Sequence, residues 1–220
     1  MAFRLSTFYS NTNPAGRSHN NATYVYRTDD TINDVVAAGY FNDVIQRLEV
    51  GDVIEVEFAT FASAVDDTAT AVGGKSNVTV VYNDGNIMHV VALASDEFLM
   101  TATMPDVSTA GAALNAVATD GNADAVAGRA GTIISYQTLL GGAIATADAA
   151  ITSGNASDNQ AFTGGAVTVA NAGSAEGDID ASSAVTADGE FVAGDVVRLI
   201  SDGASTNAVP LYAFFICQEV

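Results

Sequence analysis

The sequence predicts a mainly β protein of two domains: an N-terminal α+β domain with a β-hairpin, then a C-terminal β-sandwich or jelly-roll-like domain. Three observations predict it. Short apolar runs separated by Gly and Asp turns recur through the second half. NVTVVYNDGNIMHVVALA (77–94) sets two β-rich runs around Asp84-Gly85, a pair favoured in type I′ hairpin turns. Helical spacing is confined to one short region between 28 and 48.

Residues 1–23 read as an N-terminal arm. Arg4, Arg17 and Arg27 stand in the first 27 residues with no acid among them. NTNPAGRSHNNAT (11–23) is polar and rich in turn formers. Such a cationic leader on an acidic body suits docking onto an acidic neighbour, with Phe3, Leu5, Phe8 and Tyr9 as apolar anchors beside Arg4 and Arg17. The alternative reading is a frayed terminus. MAFRLSTFYS lacks the apolar core of a signal peptide.

Residues 24–104 form the expected α+β domain. In TDDTINDVVAAGYFNDVIQRLEVGD a Ser/Thr/Asp-type cap is available at Thr28, Asp29, Asp30 or Thr31, and Gly39 suits a helix C-terminus. A second helical turn over 41–48 puts Phe41, Val44, Ile45 and Leu48 on one face. In VIEVEF, Ile54, Val56 and Phe58 alternate with Glu55 and Glu57, the pattern of a half-buried strand. Residues 60–76 and 101–130 are rich in Ala, Gly, Thr and Asp, and Met104-Pro105-Asp106 marks the expected boundary.

Residues 105–220 form the expected sandwich, with strands near 130–139, 143–152, 161–170, 193–201 and 208–217. VPLYAFFIC (209–217) is too short to span a bilayer and suits a buried strand holding Cys217, the only cysteine. LEVGDVIEVEF (48–58) and FVAGDVVRLIS (191–201) both carry Gly-Asp-Val. The helical segment before the first has no counterpart before the second, so the shared tripeptide reads as a strand-starting turn and not as a repeat.

Composition narrows the function. Twenty-six acids against seven bases give a net charge of -19, with Lys75 the single lysine. That field opposes binding to nucleic acid or an anionic membrane. With 49% hydrophobic residues the 220-residue chain can bury a core. Its mean hydropathy of +0.25 also suits apolar subunit interfaces.

Motifs for chemistry are sparse. VGGKSN (72–77) resembles a phosphate loop, but Ala69 stands where the first glycine is needed and a strand follows, so a solvated turn is expected. DGNADAVAG (120–128) has calcium-loop alternation at Asp120, Asn122 and Asp124 without the glycine at position six or the glutamate at twelve. It reads as a flexible acidic loop or a weak calcium site. His19 and His89 are the only histidines. Glu55 and Glu57 are spaced for the wet face of a strand, and no serine sits in G-x-S-x-G. No catalytic, cofactor or metal residue is assigned, and the chain is expected to be non-enzymatic.

The segment AGTIISYQTLLGGAIATADAAIT, with TGGAVTVANAGSAEGDIDASSAVTADGEFVAGDVVRLISDGASTNAVPLYAFFI, resembles a β-domain of tailed-bacteriophage virion structural proteins. YVYRTDDTINDVVAAGYFNDVIQRLEVGDVIEV resembles a second segment found in such proteins. The resemblance covers roughly 24–59 and 128–217. It implies an accessory capsid protein of the head decoration or cement type, or alternatively a host-attachment fibre or tail-spike subunit. The implied partners are the major capsid protein and further copies of the chain, as a homotrimer on the head surface of the virion. No nucleic acid, membrane or cofactor is implied.

Overall fold

The computed structural model describes residues 5–10, 22–63, 66–94 and 96–219. Strand accounts for 49% of the chain and helix for 6%. The chain divides into two compact units, residues 1–95 and 96–220.

In the first unit a 3-10 turn at Leu5–Thr7 leads into β1 (Phe8–Ser10) and β2 (Thr23–Thr28). Helix α1 (Ile32–Val35) and a 3-10 segment (Asn42–Arg47) then lead to β3 (Val53–Ser63), β4 (Asp66–Asn83) and β5 (Met88–Ala92). The strands form one sheet in chain order. β2 and β3 are parallel, which requires a crossover, and the helical segment supplies it. One face of the sheet alternates Tyr24, Tyr26, Ile54, Val56, Val78 and Val80 into a core with Val35, Phe41, Val44, Ile45 and Leu48.

The helical region is shorter than its spacing predicts. Thr31 caps α1 in a capping box with Asp34: the Asp34 N–H donates to the Thr31 hydroxyl at 3.3 Å, and the Thr31 N–H donates to the Asp34 carboxylate at 3.0 Å. Gly39, at φ +77°, turns the chain away from the helix and donates its N–H to the Met88 carbonyl. Phe41, Val44, Ile45 and Leu48 still bury together as the periodicity requires, on a 3-10 segment.

The second unit contains β6 (Glu97–Met104), β7 (Asn122–Val126), β8 (Gly131–Leu140), β9 (Ala149–Asn155) and β10 (Gln160–Ala161). There follow β11 (Thr163–Gly164), β12 (Val167–Val169), β13 (Ile179–Ala181), β14 (Val185–Ala187), β15 (Glu190–Phe191), β16 (Val196–Ser201) and β17 (Leu211–Gln218). One sheet runs β13-β8-β17-β6 with β15 beside β8. Another runs β10-β9-β16-β7 with β12 beside β9, and β11 pairs with β14. Ile133, Tyr136, Leu140 and Phe215 of the first sheet share one core with Ile151, Val167, Val197 and Leu199 of the second. Cys217 is fully buried there, and burial pushes its thiol up to about 12.

Four details differ from expectation. The division between the units falls before β6, because β6 pairs with β17 over its whole length and so belongs to the second unit. Residues 66–77, including VGGKSN, lie inside the long strand β4 and not in a solvated turn. DGNADAVAG enters β7, where Asn122 is buried and Asp124 holds Arg198, so it is neither a flexible loop nor a calcium loop. The hairpin turns where predicted, but over four residues: Asp84 Oδ1 accepts the N–H groups of Asn86 and Ile87, and Gly85 takes φ +91°.

Each of the three Gly-Asp dipeptides builds the same turn. Gly51, Gly177 and Gly194 have φ values of +95°, +89° and +96°. The following Asp52, Asp178 and Asp195 each donate their N–H to the carbonyl three residues back. In return their carboxylates accept the N–H of Glu49, Ala175 and Val192 at 2.8, 2.7 and 2.9 Å. Gly permits the left-handed bend and Asp closes both backbone groups of the turn. Because this device recurs in two unlike units, it explains the shared Gly-Asp-Val without any duplication.

Candidate interaction surfaces

The arm residues fall in two groups. Phe3, Arg4 and Arg17 lie outside the described residues. Leu5 belongs to the first 3-10 turn, and β1 then pairs antiparallel with β2 through Phe8↔Tyr26 and Tyr9↔Val25. Phe8 is buried, stacked on Tyr24 with ring centroids 5.1 Å apart. It is thus committed to its own core, while Tyr9 on the opposite face is 45% exposed. Tyr9 is the described anchor that presents an aromatic surface outward.

A row of charges crosses the middle of the first sheet. Arg27, Glu57 and Lys75 are register partners on β2, β3 and β4. Arg27 Nε binds Glu57 Oε2, and Lys75 Nζ lies 2.8 Å from Glu57 Oε1 and 2.6 Å from Glu55 Oε1. The Lys75 and Arg27 bonds hold the Glu57 carboxyl below the usual carboxylate range. Glu57 is covered by these partners, on a face where Arg27, Lys75 and Glu55 keep their side chains partly in solvent, as the alternation predicts. A general acid needs the opposite, a raised carboxyl, so this pair serves as a cross-strand tie. His89 is buried on β5, and His19 lies outside the described residues.

Beyond this row the hairpin continues. β2 pairs with β3 only as far as Phe58, and β5 pairs with β4 only from Val78 onward. From Ala59 to Ser63 and back from Asp66 to Val72, β3 and β4 pair with each other. Register shifts at Glu57/Ala59, Thr60/Phe61 and Phe61/Ser63 add bulges, which increase the twist of such a ribbon. The sequence of this ribbon, ATFASAVDDTATAV, holds two acids and no base.

The second unit presents a rigid loop and an open cleft. Arg198 on β16 donates through Nε and Nη2 to both oxygens of Asp124 at 2.7 and 2.8 Å, and through Nη1 to the carbonyls of Ala113 and Ala116. Asn122 adds bonds to both backbone groups of Ala112. Gly121 is required here, since a Cβ would lie 2.0 Å from the Thr109 carbonyl oxygen. The loop so held carries Val117 outward at 89% exposure. Motif reading missed this clamp, because Asp124 and Arg198 stand far apart in the chain and only strand pairing joins them.

The cleft lies between β6 and β7, the last strands of their sheets. It has a volume of about 460 Å³ and is lined by Phe98–Thr101, Ala125, Val126, Gly128 and Arg129. The Arg129 guanidinium sits 3.9 Å from the centre of the Phe98 ring, with the Glu219 carboxylate 3.5 Å away. Among the described residues no three His, Cys, Asp or Glu side chains converge on a metal-binding arrangement, and no helix is long and apolar enough to cross a membrane.

Comparison with known proteins returns no matching family profile, no matching curated protein and no matching solved structure.

Proposed function

We propose that this chain is a non-enzymatic virion structural protein, an accessory protein that binds the outer head shell of a tailed bacteriophage and stabilises it. In this reading the second unit is a β-sandwich of jelly-roll type, and the first is a separate α+β domain. The observation that carries the proposal is the β3–β4 ribbon, whose strands run on beyond the strands flanking them. The outer edges of such a ribbon carry backbone groups to which a neighbouring subunit can add a strand. The resemblance of 24–59 and 128–217 to phage virion segments supports the same reading, and in this chain those stretches supply turns and strands. Such a protein works by linkage: any area buried across shell subunits favours the assembled state.

The partners are the major capsid protein and other copies of this chain, and a homotrimer suits three-fold positions of a shell. The test adds purified protein to particles stripped of accessory proteins and measures bound copies. Saturable binding that raises the temperature of particle disruption is expected. Binding to tail fibres or host cells, with none to heads, would favour the attachment-fibre reading instead.

A further inference from the structure

We infer that β6 is an assembly edge: it pairs antiparallel with β6 of a second copy across a two-fold axis, joining two β13-β8-β17-β6 sheets into one. β6 is the last strand of its sheet and pairs with β17 alone. Just before it, the Glu219 N–H donates to the Asp96 carbonyl, and the register with β17 then runs unbroken to Met104. Bonded pairs recur at every second residue of an antiparallel ladder. Phe98, Met100, Ala102 and Met104 therefore turn their backbone groups toward β17, while Leu99, Thr101 and Thr103 turn theirs away from the sheet. Among the described residues none takes up these outward groups.

The other sheet margins are blunted. In the second unit β10, β11, β12, β13, β14 and β15 each span two or three residues, and β7 carries Asp124. In the first unit β1 spans three residues, and the β3–β4 pairing beyond Glu57 is broken by bulges. On β5 the Met88 carbonyl accepts the Gly39 N–H, and the Met88 N–H donates to the Asn42 side chain. β6 has eight residues, and Phe98–Met104 holds neither charge nor proline. Native edges are normally protected by such devices, so an edge without them is a template for strand addition.

Length and charge name the occupant. In an assembly of identical chains, the matching long uncharged edge is β6 of another copy. A chain of net charge -19 repels its copies over most of its surface, and this strand brings no charged side chain to the contact between Phe98 and Met104. Centring the pair on Thr101 sets Thr101 opposite its own equivalent and Leu99 opposite Thr103 of the second copy. Every outward N–H and C=O of the three residues is then paired. Thr101 and Thr103 are exposed, and facing threonines are a favourable cross-strand pair. A two-fold axis relates the two strands, so this contact links neighbouring three-fold sets and is additional to the trimer proposed above.

The test reads self-association of the free full-length chain by analytical ultracentrifugation, with no particle present, so its outcome is separate from shell binding. Thr101→Pro removes an outward N–H, and Thr101→Lys sets two ammonium groups face to face. Each should weaken association by about tenfold or more. Circular dichroism identifies a variant that fails to fold, and the lysine variant, at an exposed edge position, then carries the test. The register is read by disulfide trapping under a mild oxidant, with the buried Cys217 as the sole native thiol. Thr101→Cys should give a covalent dimer, since the facing Cα atoms lie about 5.5 Å apart, within disulfide reach. Thr103→Cys should not, because its equivalents stand roughly 14 Å apart. A wild-type chain that stays monomeric up to about 0.1 mM would overturn the inference, as would association untouched by both Thr101 changes. Equal trapping at Thr103 would overturn it as well. Loss of particle binding on Thr101→Lys, with a monomeric parent, would give the edge to a shell protein instead.

Discussion

Arg198 and Asp124 face each other as register partners on β16 and β7, and the arginine fork that closes on the carboxylate also holds two carbonyls of the 113–116 loop. One side chain thus couples a sheet edge to a surface loop. Arg198 is 5% exposed, so removing it strands a carboxylate and several carbonyls at once.

Arg198→Met should therefore destabilise the second unit by about 3 kcal/mol, near the lower end for breaking a buried pair because Asp124 keeps some contact with water. Arg198→Lys should recover little, since an ammonium cannot reproduce the bidentate fork. Denaturant unfolding measures the loss, and hydrogen exchange should quicken across 112–119. Unchanged exchange there would show that the loop is held without the clamp.

The Gly-Asp turns make a second prediction. Gly194→Ala places a Cβ at φ +96° with open space around it, so backbone strain alone should cost about 1 kcal/mol. Asp195→Ala also removes the acceptor of Val192 N–H and Asn155 Nδ2, and should cost about 1–3 kcal/mol. Equal stability of both variants and the parent in chemical denaturation would contradict the account of the turn.

Much of the fold was legible for identifiable reasons. Alternation exposed β3, apolar runs bounded by turns marked β5, β8, β16 and β17, and Gly39 and Asp84-Gly85 marked turns through their backbone freedom. Residues 66–76 were not legible, because Ala, Gly and Asp carry little strand propensity and pairing with β3 overrides it. Pro105 marked a chain break but not the unit boundary, since pairing between β6 and β17 cannot be seen from local residues. The cleft was hidden for the same reason: Phe98 and Arg129 meet only once two sheets stack their edges.

Acid should weaken the first unit in a defined window. Glu57 and Asp84 have carboxyls held below their ordinary values, Glu57 by Lys75 and Arg27, Asp84 by the backbone N–H groups of Ile87 and Asn86. A depressed folded value contributes stability that is fully present above the unfolded value, about 4, and is lost as pH falls through the folded one. Glu57→Gln should therefore lower stability at pH 7 and flatten its decline below about pH 4. An acid profile identical to that of the parent would contradict the charge row.

The two described aromatic anchors should separate. Phe8→Ala empties a core site stacked on Tyr24 and should destabilise the first unit by about 3 kcal/mol. Tyr9→Ala should change stability little and weaken particle attachment instead. The reverse pattern, a stable Phe8 variant and an unfolded Tyr9 variant, would contradict the assignment of faces in β1.

The central claim is that the chain decorates a head shell, and copy number in purified virions tests it most directly. Quantitative gel or mass-spectrometric comparison with the major capsid protein should give a fixed ratio, on the order of hundreds of copies per particle and divisible by three, as symmetric occupation of shell positions requires. A handful of copies, confined to tail fractions after heads and tails are separated, would contradict it.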